Sequence, residues 1–425
     1  MSTCAVSSRG WDCDASSSER AAARGREQRT KRGRVDVAKA NELFELTARL
    51  AADAATLRDA LQVEFLSGQL AEVVASDYDL GEVLRVEQIL GGYTNLSFAV
   101  VVAPPGGGER KYFVRKYNRV NTEREVQFEH ALVNHISGKG FHIAAQVYPA
   151  KSGLTYVTRE ETIAGECVPR LFAVYEMLEG EDKYTWISNR LTDTEFANGA
   201  RVLAQFHALA HDFDPGDLAR EQPPIVDFVR RFPDIFNAYA AQSRGTEFDQ
   251  FYLEKLPAVL EAVRRGIAIE DGLRGMPRVP VHCDYHPGNL KWVDEQGVGL
   301  FDFDWSKVDY RLFDVAQGIA YFCSSWEGPD DGEVRLDKAT IFVRAYQDEA
   351  ARFDIPGPMG AAELALLPRM VASANLYILN WDLMAYYDDA SVDVAEYLTY
   401  LAHQVHFMEY IEAHQDELAH IAEEA

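Results

Sequence analysis

Apolar residues return every three or four positions between Val37 and Val74. Leu43, Leu46 and Leu50, then Leu57, Leu61 and Phe65, mark one face of a helix. Beyond residue 80 the texture changes to short β-branched and aromatic runs. VLRVEQIL (83–90), LSFAVVVA (96–103) and KYFVRKY (111–117) are parted by GGYTN and PPGGGER, and predict three antiparallel strands with glycine-rich turns between them. A helical stretch at 123–136 follows, then strands at 142–149, 153–158 and 171–178. After LEGEDKYTW the spacing is helical over 192–211, 225–240, 246–266, 335–353, 361–384 and 391–421. One stretch breaks this helical half: VHCDYHPGNLKWVDEQGVGLFDFDWSKVDYRLFDVA, residues 281–316, in which LKWV and VGLFDF read as strands around the turn DEQG. The pattern is α+β. It predicts an N-terminal lobe with a leading helix over 37–178 and a helical C-terminal lobe over 179–425, with a ligand at their junction.

Composition narrows the partners. A chain of 425 residues, 47% hydrophobic, can bury a large core, and no apolar run is long enough to span a bilayer. The net charge of −25 disfavours nucleic acid, because phosphate binding needs a basic footprint. The five cysteines are scattered and odd in number, which argues against a disulfide framework or a zinc site and suits a reducing cytoplasm. Residues 1–36 are different: Arg24, Arg26, Arg29, Lys31, Arg32 and Arg34 cluster there with few large apolar residues, so this basic tail is expected to be disordered and to take no part in catalysis.

The polar residues of 281–316 carry the chemistry. His282, Asp284, His286, Asn289, Asp302 and Asp304 sit between apolar neighbours, and a buried carboxylate costs several kcal/mol unless a partner or a metal satisfies it. A loop–hairpin–loop returns Asp302 towards Asp284 and Asn289. Asp, Asn and Asp form an all-oxygen set that suits Mg²⁺, which prefers one or two carboxylates, waters and a substrate phosphate.

These residues also match a family pattern. HCDYHPGN fits an HxDxxxxN catalytic loop and GLFDFD stands where protein kinases carry their DFG segment, so the stretch resembles the aminoglycoside phosphotransferase/choline kinase family of small-molecule kinases. The likeness spans residues 75–410, and YDLGEVLRVEQILGGYTNLSF is nearest in look to the kinase-like homoserine kinases, although GYTNL and DFDWSKVDYRLFD depart from that group. It implies a two-lobed protein-kinase-like fold and transfer of the γ-phosphate of ATP to an alcohol. By the same resemblance Asp284 would be the catalytic base, His282 would orient its loop, Asn289 and Asp302 would hold Mg²⁺, and Asp314 would tie a helix start to the loop.

The nucleotide would be met by Gly91, Gly92 and Asn95 in the first turn and by a cation on the third strand. Arg115 and Lys116 compete for that last role, and strand alternation puts them on opposite faces. The resemblance favours Arg115. Glu129, with Glu125 as the alternative, would hold the cation, and the adenine would lie against the connector near Glu176 and Met177. Asp304, Trp305, Asp309, Tyr310, Trp381 and Asp382 suit a cationic, amine-bearing alcohol as acceptor. A module that binds nucleotide without transfer is the alternative, against which Asp284, Asn289 and Asp302 speak. Removing residues 1–36 should leave the melting temperature nearly unchanged, since a segment without a core adds no packing; a large drop would show that the Arg cluster docks on the body.

Overall fold

The computed structural model describes residues 64–89, 95–118, 121–163, 165–218, 220 and 222–424. The expected tail, the helical positions 37–63 and the turn 90–94 lie outside the described residues, and helix α1 is seen over 64–77. Residues Gln69–Ala425 form one compact unit. Within it β1 (Glu82–Gln88), β2 (Leu96–Ala103) and β3 (Arg110–Lys116) form an antiparallel meander, as the alternating runs predict. Strands β4 (Val147–Tyr148), β5 (Val157–Ile163) and β6 (Glu166–Glu176) complete the sheet in the order β1-β2-β3-β6-β4, with β5 also paired to β6. The β5–β6 hairpin is longer than its sequence suggests. Its outer half, TREET against CVPR, is mainly polar and alternates between half-buried and exposed positions, so it carries no apolar alternation to mark it.

Helix α2 (Glu123–Gly138) starts at a capping box, in which Thr122 and Glu125 bond reciprocally, and turns Phe128, Leu132, Val133 and Ile136 inward. The remainder is mainly helical: α3 (Asp193–Ala210), α4 (Ile225–Ala240), α5 (Glu247–Ile267), α6 (Glu270–Leu273), α7 (Arg311–Cys323), α8 (Leu336–Ala350), α9 (Ala361–Leu364), α10 (Leu367–Asp388), α11 (Val394–Ala413) and α12 (Gln415–Glu424). The expected helices 361–384 and 391–421 are each interrupted, the first before Pro368, where the second segment starts with proline in its first turn, and the second at His414. Among the described residues no helix is long and apolar enough to cross a membrane.

Four short strands hold the polar stretch in place. Strands β7 (Arg278–Val281) and β10 (Lys307–Tyr310) pair antiparallel and tie its two ends together. Between them β8 (Leu290–Val293) and β9 (Gln296–Leu300) form the expected hairpin, which stops at Leu300, short of the predicted VGLFDF strand. The hairpin is fastened to the sheet side, where Leu300 N–H donates to the Ile143 carbonyl at 2.7 Å. Glu181 and Trp292 exchange backbone bonds of 2.8 and 3.1 Å beside the connector.

Helix α7, absent from the predicted ranges, runs through the middle of the helical lobe. A side chain at Gly318 would meet the buried Phe342 ring at 2.7 Å, and one at Gly199 of α3 would meet the buried Phe322 ring at 2.7 Å. Both rings are fully enclosed and packed on each other, so neither can step aside. Overpacking a close helix contact costs about 1–3 kcal/mol, more than the helix propensity that alanine restores. Gly318→Ala should therefore lower the unfolding free energy in urea by about that much; an unchanged or higher midpoint would refute the close approach.

Candidate active site

The chain leaves β7 at Val281 into a loop whose backbone is held by buried side chains. The Asp314 carboxylate, on the first turn of α7, accepts the N–H groups of His282 and Cys283, the latter at 2.9 Å, while His207 Nε2 lies 3.1 Å from it. Gln317, one turn later, accepts the Tyr285 N–H at 3.2 Å and donates to the Cys283 carbonyl at 2.9 Å. Cys283 itself has φ 63°, a left-handed conformation costing on the order of 1–3 kcal/mol for a non-glycine residue. Four bonds from α7 fix that turn, and the next residue is Asp284.

Asn289 donates its amide to the Asp284 carbonyl at 2.8 Å and to Asp284 Oδ2 at 3.0 Å, which leaves the amide oxygen outside both bonds. Burial pushes the Asp284 carboxyl up to about 7, the nearby Asp302 charge adds to this, and the Asn289 amide opposes it. His282 is buried, faces the Phe301 carbonyl through Nε2 at 3.0 Å, and is held below the usual imidazole range by burial. Its bond bridges the loop before the β8–β9 hairpin to the segment after it.

Asp302 follows that hairpin with φ 70°. Arg115 Nη2 stands 2.8 Å from its Oδ1, yet without hydrogen-bond alignment, so this buried oxygen has no hydrogen-bond donor. Arg115 also approaches Glu129 Oε1 at 3.6 Å. Burial works against the Arg115 charge, but Asp302 and Glu129 outweigh it and hold the guanidinium protonated. Tyr117 and Tyr175 each donate to Glu129 at 2.8 Å, and His130 lies 3.0 and 2.9 Å from the two hydroxyls.

Lys116 is on the other face of β3, bonded to Glu161 and to Gln69 Oε1 at 3.0 Å and lying over the Phe172 ring. The structure thus gathers Arg115, Glu129, Asp284, Asn289 and Asp302, and leaves Lys116 out. Glu125 is the third residue of the α2 capping box. Glu176 ends β6, its N–H held by the Gln146 carbonyl at 2.8 Å, and Met177 opens the connector half-buried. Gly91 and Gly92 lie outside the described residues.

The described contacts of Asn95 run to the far side of the cleft. It accepts the Asn118 N–H at 2.9 Å and donates to Asp304 Oδ2 at 2.7 Å. Asp304 is buried, its Oδ1 has no partner, and burial together with Asp302 raises its carboxyl well above the usual range. Arg220, unforeseen from the sequence, donates to the Asp304 carbonyl and lies over the Trp305 ring at 4.4 Å.

Of the expected acceptor residues, Asp309 is engaged in structure, accepting the N–H of Ile225 at 2.7 Å and its neighbour's at 2.8 Å, and Tyr310 stacks under Arg278. Trp305 and Trp381 pack edge-on at 4.2 Å. His286 Nε2 is 3.7 Å from Asp284 Oδ2, and its ring is 5.3 Å from that of Tyr321. No local signal marks Arg220, Tyr321 or the Glu129 shell, because each acts through a contact distant in sequence.

The donor set fits a hard divalent cation. Asn289 and Asp302 offer oxygens, one of them without a donor. Among the described residues no group of three or more His, Cys, Asp and Glu could hold a metal alone. An ion at this site would complete its shell with water and phosphate oxygens, as Mg²⁺ does with nucleotides.

Known proteins share this fold. A homoserine kinase of Parvibaculum lavamentivorans is 26% identical over 344 residues, 78% of this chain and 91% of its own. The structure of a microcompartment-associated aminopropanol kinase superposes with TM-score 0.62 at 16% identity, covering 83% of this chain and 98% of its own. A spectinomycin phosphotransferase, solved with ADP and spectinomycin, does so with TM-score 0.53 at 14% identity over 84% and 99% of the two chains. These likenesses establish the two-lobed, protein-kinase-like α+β fold. The profile of the phosphotransferase enzyme family (APH) matches residues 85–352, from the first strand through the catalytic loop to the end of α8, and the chain belongs to that family of small-molecule kinases.

Proposed function

We propose that this chain transfers the γ-phosphate of ATP to the hydroxyl of a small, amine-bearing alcohol, with Mg²⁺ held by Asn289 and Asp302. The observation that carries this reading is the convergence of a half-buried carboxylate with a raised pKa, Asp284, on a second carboxylate, Asp302, that faces a buried guanidinium and still has an oxygen without a donor. A base of that pKa can take a proton near neutral pH, and a cation locked between Asp302 and Glu129 can grip phosphate oxygens. Relatives named as homoserine kinase and a neighbour named as aminopropanol kinase support an acceptor that carries an amine.

In this reading Arg115, held by Glu129, meets the α- and β-phosphates, and the backbone near Glu176 and Met177 receives the adenine. Lys116 serves the sheet's far face. Mg²⁺, when bound, would neutralise charge on the β- and γ-phosphates. Asp284 orients the acceptor hydroxyl, accepts its proton as the oxygen attacks, and passes that proton to solvent afterwards. Asn289 fixes the rotamer of Asp284 through its amide, and His282 with Asp314 fixes the loop.

Two substitutions separate base from metal ligand. Asp284→Asn keeps the size but cannot take the proton, so turnover should fall about 10²–10⁴-fold while MgATP binds with similar affinity. Asp302→Asn should weaken MgATP itself. Near-normal turnover in Asp284→Asn, or an equal loss of nucleotide by both variants, would refute the division of roles.

The metal is tested independently. Excess chelator should abolish both turnover and tight ATP binding, and Mg²⁺ or Mn²⁺ should restore them. ATP that binds equally well with chelator present would remove Asn289 and Asp302 from the metal site.

A further inference from the structure

Asp382 is a buried carboxylate without a cation. It lies on α10 and is 7% exposed, and its Oδ2 has no hydrogen-bond partner. Among the described residues no Lys, Arg or His pairs with it, and burial alone drives its carboxyl well above the usual range. Burying an unpaired carboxylate costs several kcal/mol, and such a group persists where something outside the chain satisfies it.

Its surroundings lead to the catalytic loop. Helix α10 packs against α7, which carries Tyr321. The Tyr321 phenol lies within the electrostatic reach of both Asp284 and Asp382, and its ring meets His286 beside Asp284. On the other side Trp381, next to Asp382, packs on Trp305. Asp284, His286, Tyr321, Trp305 and Trp381 are all only partly buried, so this face stays open to solvent, while Asp382 is enclosed behind it.

We infer that Asp382 binds the ammonium group of the acceptor, and that this group is a primary amine. The inference rests on the reading of Asp284 as the base that meets the acceptor hydroxyl. An enclosed oxygen without a donor calls for an N–H, which a primary ammonium supplies and a trimethylammonium lacks. The rings of Trp381 and Tyr321 add a face that favours a cation over an uncharged alcohol. Asp382 is therefore the residue that sets specificity, distinct from the base and from the metal ligands.

Steady-state kinetics with ethanolamine, aminopropanol and homoserine, each against its N-trimethyl and deaminated counterparts, tests this. Wild type should favour the primary amine, and Asp382→Asn should raise KM for it about 10- to 100-fold, the loss expected for a charge-assisted hydrogen bond. KM for MgATP should hold, and the melting temperature should stay level or rise, because the variant no longer buries a carboxyl whose ionisation the fold opposes. Equal use of the trimethyl compound, an unchanged KM for the amine, or a marked drop in melting temperature would overturn the assignment. Titration calorimetry of the same three amines without ATP keeps the two readings apart. Amine binding lost in Asp382→Asn, with no alcohol phosphorylated by wild type, would support Asp382 and refute the kinase reading. Amine binding retained by the variant would refute Asp382 whatever the turnover.

Discussion

The catalytic loop depends on one carboxylate. Asp314 accepts two successive backbone N–H groups, from His282 and Cys283, and faces His207, which in turn meets the Tyr346 hydroxyl at 2.9 Å. Hydrogen bonds to a charged group contribute about 1.5–3 kcal/mol each, enough together to hold Cys283 in a conformation costing on the order of 1–3 kcal/mol. That turn aims Asp284 towards Asn289 and Asp302. Without it the residue would sit in an ordinary extended segment and point elsewhere. The glycine contacts of α7 serve the same end, since Asp314 and Gln317 work only if α7 lies close against its neighbours.

Around the loop the charges are unbalanced by design of the fold. Asp302, Asp304 and Glu129 all lie within reach of Arg115, which approaches two of them, and Asp284 stands beside Asp302. Burial, and after it the neighbouring Asp302 charge, raises the carboxyls of Asp284 and Asp304. Such a cleft suits the metal ion and the cationic acceptor of the proposed reaction. Two tyrosine hydroxyls, one on each oxygen, fix the Glu129 carboxylate where Arg115 approaches it.

Polar interactions that cross the cleft tie the sheet to the helical lobe. Asn95 reaches Asp304 across a separation of 209 residues, and Arg115 reaches Asp302. Both join the strands of the sheet to the segment after the β8–β9 hairpin. Relative movement of the lobes must stretch these bonds, so the cation's position and the loop's shape are coupled.

The alternating runs of β1–β3, the capping box of α2 and the spacing of Asp284, Asn289 and Asp302 are local properties, and the sequence alone determined them along with the family pattern. It also located the hairpin between Asn289 and Asp302, because turn residues and β-branched runs act within a few positions. It did not reveal the polar half of β5–β6, where the inner face holds Glu161 and Arg170 in place of apolar residues, or the extent of α7, of which the family pattern gave only the start near Asp314. The choice of Arg115 over Lys116 for the cleft, the bond from Asn95 to Asp304, the use of Asp309 as a backbone acceptor and the isolation of Asp382 were decided by tertiary structure. A side chain's charge is written in the sequence, but its partner is whatever packing brings within a few ångströms, and here those partners come from segments tens to hundreds of residues away.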